Sequence, residues 1–135
     1  MEKIEINAKM KEGLLRAQQG ELDAVVLYRA LSGRAKNLET RKTLLAIAAD
    51  EGRHASVFHA LTNQNLKPAK KTARLILLFS YLLGMKRVLK LLSDKEYSAD
   101  VAYRPLKDLP HVDSVMADET RHGKLLQNIV ESGRF

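Results

Sequence analysis

The phrase Ala-Asp-Glu-x-Arg-His occurs twice, at residues 49–54 and 117–122. In each copy a carboxylate and an imidazole stand three residues apart, Glu51 with His54 and Glu119 with His122, which puts both on one face of a helix. Imidazole with carboxylate is a mixed nitrogen and oxygen donor set that suits iron, manganese or zinc. One Glu-x-x-His arises easily by chance, whereas two in the same context point to a metal centre. A second repeat supplies two more carboxylates. Glu21 and Glu96 are each followed seven residues later by a tyrosine, Tyr28 and Tyr103, within Glu-x6-Tyr-Arg-x-Leu. The chain thus reads as two halves, each giving Glu and Tyr first and Glu-x-x-His second. Only the connection inside each half differs in length.

Four helical stripes have to position these residues. Apolar positions alternate by three and four through Met10, Leu14, Ala17, Glu21, Ala24, Tyr28 and Leu31, and again through Leu44, Ile47, Glu51, His54, Phe58 and Leu61. The pattern returns in Met85, Leu89, Leu92, Glu96, Ala99, Tyr103 and Leu106, and in Val112, Val115, Glu119, His122, Leu126 and Ile129. Residues spaced this way share the helix face that enters a bundle core. Each stripe therefore carries a carboxylate flanked by apolar turns. A buried, unpaired Glu costs several kcal/mol, and four sharing one core would repel each other. No Lys or Arg occupies the same stripes, so two bound cations are the economical solution.

Punctuation divides the chain accordingly. Residues 33–37 and 62–68 interrupt the stripes, Pro105 and Pro110 bracket the turn before the last one, and Gly133 follows it. The expected organisation is a single domain over residues 1–135: a helical hairpin at 5–64, a crossover at 65–84 and a second hairpin at 85–132.

Composition narrows the classes. The chain has 135 residues, enough for one core, with 45% hydrophobic and 29% charged residues, a globular balance. Without cysteine there is no disulfide framework, thiolate zinc site or sulfur-ligated iron. The charged start MEKIEINAKMKEG lacks the apolar run of a secretory signal, and the apolar stretch at 75–85 is about half what a membrane span needs. A cytoplasmic protein is expected. The net charge of +7 raises the question of nucleic acid. No recognition motif accompanies Lys67, Lys70, Lys71, Arg74, Lys86, Arg87 and Lys90, so these are expected on solvated faces without a nucleic-acid partner.

The phrases GELDAVVLYRAL, LLAIAADEGRH, KEYSADVAYRPL and ADETRHGKLL resemble the rubrerythrin-like branch of the ferritin-like di-iron carboxylate superfamily, over most of the chain. That resemblance implies an all-α, antiparallel four-helix bundle of two pseudo-repeated hairpins with an extra apolar helical crossover. It implies two iron ions held by Glu21, Glu51, His54, Glu96, Glu119 and His122, with manganese or zinc as alternative occupants. By the same resemblance Tyr28 supports Glu96, and Tyr103 supports Glu21, from behind the ligands. The implied activity is oxidation chemistry with dioxygen or peroxide, as ferroxidase or peroxide reductase. Hydroxylation of a quinone-like substrate and non-catalytic iron binding or storage are the alternatives.

Two departures bear on this. Many rubrerythrins carry an iron module held by four cysteines, and here an external electron donor is expected instead. Peroxide-reducing members tend to have an extra carboxylate about one turn from the third-helix ligand. Here the positions one turn from Glu96 hold Leu92, Ser93, Ala99 and Asp100, of which Asp100 alone is an acid. His59 and His111 fall outside the repeat and are expected at the surface. Arg53 and Arg121 are expected to neutralise outer carboxylates or sit in solvent rather than touch substrate, and Asp50 and Asp118 to contact the histidines. The segment 69–83 is apolar almost all round, so it is expected to be buried or at an interface: a separate helix ending near Gly84 and packing in a homodimer. Contact with a membrane surface is the less favoured role for it.

Overall fold

The computed structural model describes residues 5–135; residues 1–4, part of the charged start on which the absence of a secretory signal was judged, lie outside the described residues. Five α-helices follow one another: α1 (Ala8–Arg34), α2 (Leu38–Thr62), α3 (Lys71–Leu83), α4 (Met85–Tyr103) and α5 (Val112–Ser132), with a short 3-10 turn at Arg104–Leu106. There are no strands among the described residues. Helix ends are set by local chemistry. The Asn7 side chain accepts from the Met10 N–H at 2.9 Å and that of Asn37 from the Thr40 N–H at 3.1 Å, each satisfying a first-turn donor. Gly133 closes α5 in the left-handed conformation.

The spacing of Leu75, Leu78, Leu82 and Met85 would allow α3 and α4 to run as one helix. Gly84 prevents it. Its φ of 90° and ψ of 155° are open essentially to glycine alone, and the chain turns there between Leu83 and Met85.

Helices α1 and α2 form one hairpin and α4 and α5 the other, α2 lies against α5, and α3 crosses over to pack on α1 and α4. This is the ferritin-like bundle. Its apolar interior is in two parts. One gathers Leu27, Leu31, Leu44, Ile47, Leu89, Leu92 and Leu126, and the other Leu14, Ala17, Phe58, Leu106, Val112 and Val115. The Glu and His positions of all four stripes lie between them and are buried.

The segment expected to be buried or at an interface packs on the bundle along one side only. Only Ala73 and Ser80 are buried, with Ile76, Leu77 and Phe79 partly covered against the bundle. Leu75, Leu78 and Leu82, at 48%, 51% and 68% exposure, occupy the opposite side. One layer of helices has no second surface to offer them, so α3 is amphipathic in position although not in sequence. Among the described residues no helix is long and apolar enough to cross a membrane.

Candidate metal centre

Each ligand position comes from the middle of a helix, where the backbone is fixed by neighbours on both sides. The six predicted side chains converge into two groups, Glu21, Glu51, His54 and Glu119, and Glu51, Glu96, Glu119 and His122, whose donor atoms lie within 4.8 Å of one another in each group. Glu51 and Glu119 belong to both groups, and Glu21 and Glu96 to one each. His54 Nδ1 is 2.8 Å from Glu119 Oε1, 3.3 Å from Glu51 Oε1 and 3.4 Å from Glu21 Oε2. His122 Nδ1 is 3.2 Å from Glu51 Oε1, 3.7 Å from Glu119 Oε1 and 3.8 Å from Glu96 Oε2. Two donors each about 2.1 Å from one ion stand roughly 3.0 to 3.4 Å apart at octahedral or tetrahedral angles; three of the six separations fall in that range and the others lie within about 0.4 Å of it.

The polar bookkeeping makes the same point. Seven buried side-chain nitrogen or oxygen atoms among the described residues lack a hydrogen-bond partner. Six are Glu21 Oε2, Glu51 Oε1, His54 Nδ1, Glu96 Oε2, Glu119 Oε1 and His122 Nδ1, one from each residue of the cluster; the seventh is Arg34 Nε. Orphaned buried polar atoms are rare and costly, and the six from the cluster belong to the two groups of converging donors. The residues present fit a pair of metal ions.

The remaining atoms of these side chains are held from behind. Tyr28 Oη donates to Glu96 Oε1 at 2.5 Å and Tyr103 Oη to Glu21 Oε1 at 2.8 Å, each hydroxyl reaching across from the other hairpin. Burial first, and then the charge of Glu96, raises the Tyr28 phenol well above its usual range; burial and Glu21 do the same for Tyr103. Both stay protonated and act as donors. The histidines are crossed in the same way: His54 Nε2 meets Asp118 Oδ2 at 2.8 Å, and His122 Nε2 meets Asp50 Oδ2 at 2.7 Å. An Asp on Nε2 fixes the tautomer and leaves Nδ1 turned inward. Burial opposes the charge on Asp50, but the His122 ring and the Arg121 guanidinium outweigh it and hold the carboxyl at about 2. Asp118 is lowered against burial in the same way by His54 and Arg121. Arg121 bonds Asp50 at 2.7 Å and Asp118 at 3.3 Å, while Arg53 pairs with Asp50. The two arginines thus neutralise the outer carboxylates, as the repeat suggested.

Burial raises the Glu119 carboxyl to about 11 and that of Glu21 to about 7. Glu51 goes the other way, to about 2, because the His122 and His54 rings overcome the cost of its burial. Burial would discharge the imidazoles as well, yet the carboxylates around them win: His122 rises to about 10 and His54 is raised further.

A cavity of about 160 Å³ adjoins the cluster on the α1–α4 side, with Glu21, Glu51, Glu96, Glu119, Tyr28 and Tyr103 in its wall. Gly20, Ala24, Ser98, Ala99 and Ala102 line it too, and their small side chains keep this side open. Asp100 does not join the site; it pairs outward with Arg104 at 2.5 Å. Ser93 instead donates to the Gly123 carbonyl at 2.7 Å. His59 is exposed and meets Asn65, and His111 is exposed at the start of α5, so neither approaches the cluster.

The crossing of the His–Asp pairs was not visible in the sequence, although the doubled phrase was its signal. Gly123 was missed altogether. A Cβ there would stand 3.0 Å from the Tyr97 ring, so this glycine sets how closely α4 approaches α5 beside His122.

A family model described as Rubrerythrin matches residues 12–81, just over half of the chain. The match takes in Glu21, Tyr28, Glu51 and His54 and stops before Glu96, so the second half of the cluster stands on its repeat and on geometry. No curated protein and no solved structure gives a significant match.

Proposed function

The chain belongs to the rubrerythrin family, and from that premise we propose that it is a di-iron oxidoreductase that reacts with dioxygen or peroxide, as a ferroxidase or a peroxide reductase. The observation that carries this reading is the set of six orphaned donor atoms in the two groups of converging donors. Glu21 with His54 would hold one iron and Glu96 with His122 the other, with Glu51 and Glu119 shared between them. Two irons held by shared carboxylates supply paired redox equivalents to a small oxidant.

The chain's own residues prepare that reaction. Tyr28 and Tyr103 each occupy one oxygen of a terminal Glu and leave the other free for an ion. Asp50 and Asp118 keep each imidazole aligned. The apolar layers above and below leave the cavity on the α1–α4 side as the approach to the cluster. The cavity is the size of engineered cavities that take up benzene, so dioxygen or peroxide fits with room to spare. The chain has no cysteine to hold a second iron centre, and we assign electron supply to an external donor.

Anaerobic loading with ferrous iron, followed by mixing with dioxygen or with peroxide, tests the proposal. Oxidation that outpaces the protein-free reaction, repeats over many turnovers and disappears in Glu51→Ala is expected. Two irons bound per chain with no repeated consumption of either oxidant would leave an iron-binding module and refute the enzyme.

A further inference from the structure

We propose that the outward face of α3 is a docking surface for an anionic lipid bilayer, independent of what the metal centre does. Ten large hydrophobic side chains are exposed among the described residues, and five of them (Leu75, Leu78, Tyr81, Leu82 and Leu83) belong to this one helix. Leu75, Leu78 and Leu82 follow a three–four spacing along the side opposite Ala73 and Ser80, which the bundle buries. They form a ridge rather than scattered exceptions.

The charge around the ridge is of one sign. No Asp or Glu occurs between Glu51 and Asp94. Over residues 64–93 there are Lys67, Lys70, Lys71 and Arg74 leading into α3, and Lys86, Arg87 and Lys90 following Gly84, all exposed. These seven cations equal the chain's whole net charge of +7, so elsewhere acids and bases cancel. An apolar ridge with cationic flanks is the pattern of a helix lying in the plane of an anionic membrane surface, leucines among the acyl chains and ammonium groups at the phosphates. At about 1.5 Å per residue the 13 residues of α3 reach about 20 Å, too short to cross the roughly 30 Å hydrocarbon layer, so the helix lies on the surface.

The same charges argue against the other occupants. A second copy would meet this face with the same face, setting cation on cation with no acid in the segment to relieve it. Nucleic acid would match the charge but find leucines where base stacking or hydrogen bonding is needed.

Co-sedimentation of the full chain with vesicles of phosphatidylcholine, alone and with phosphatidylglycerol added, tests the inference. Binding to the anionic vesicles, weak binding to the neutral ones and loss in high salt are expected. Lys71→Gln with Arg74→Gln should weaken partition about 25-fold, at about fivefold per cation. Leu78→Gln with Leu82→Gln should weaken it at least about tenfold. All four positions are exposed, and unchanged iron occupancy would show that the variants remain folded. Equal partition of the parent chain and both variants would overturn the proposal. So would a dimer in light scattering that Leu78→Gln with Leu82→Gln dissociates, or binding to duplex DNA without binding to vesicles.

Discussion

Shared and unshared carboxylates should respond differently to truncation. Glu21 enters one group of donors, whereas Glu51 enters both, its Oε1 lying 3.3 Å from His54 Nδ1 and 3.2 Å from His122 Nδ1. Changing a group that merely supports a ligand lowers metal affinity about 10- to 100-fold; removing a ligand costs at least as much. Glu21→Ala should therefore weaken one ion by that factor and leave the other in place, taking the iron content of a desalted protein from two per chain to one. Glu51→Ala applies the factor to both ions, about 10²- to 10⁴-fold for the pair, and the content should fall towards zero. Elemental analysis after desalting gives the count, anaerobic calorimetry gives the affinities, and thermal unfolding of the metal-free variants checks that each folds. If Glu51→Ala kept one tight ion, or Glu21→Ala lost both, the assignment of shared and terminal ligands would be wrong.

Metal uptake should expel protons: His54, His122 and Glu119 hold theirs at pH 7 and Glu21, at about 7, holds about half of one, so calorimetry in buffers of different ionisation enthalpy should report about three to four released per chain. No release would contradict the protonated cluster. The metal-free protein should unfold at a lower temperature than the loaded one, and the deficit should widen with pH. Glu119 and His122 are raised from 4.5 and 6.5 to about 11 and about 10, so the folded state binds more protons than the unfolded one. Their stabilisation is complete below the unfolded values and is lost as pH climbs through the folded ones; a metal-free melting temperature that rises between pH 6.5 and 9 would be inconsistent with this. Gly123→Ala should cost about 1–3 kcal/mol by forcing Tyr97 and α4 away, with reduced iron content; unchanged melting and iron content would show that the contact yields freely.

The stripes made the bundle legible because a three–four alternation has one physical meaning, a face turned to the core. The ligands were legible for the complementary reason, since Glu in such a face makes no sense without a counter-charge. The repeat singled out Tyr28 and Tyr103, and the family resemblance implied their partners. The pairing of His54 with Asp118, and of His122 with Asp50, depends on how the hairpins face each other, and no local pattern encodes that. Helix α3 was legible as a separate helix with more apolar surface than the bundle covers, but what covers the rest was not, because hydrophobicity records only what a surface prefers. How many neighbours exist to cover it is a property of the assembled layers, and Leu75, Leu78 and Leu82 have none in this chain.

The band of carboxylates and imidazoles between two apolar regions also acts as a ruler for the helices. Helical stripes of similar residues tolerate sliding, because one leucine layer resembles the next. Here a slip of one turn, about 5.4 Å, would carry Glu21 or Glu96 into a layer of leucines and leave its charge without a partner. Such a state is penalised by the full cost of an unpaired buried charge, and every helix of the bundle is subject to the same penalty. The polar band thus excludes misaligned bundles that the apolar residues alone would accept, fixing the vertical alignment of α1, α2, α4 and α5.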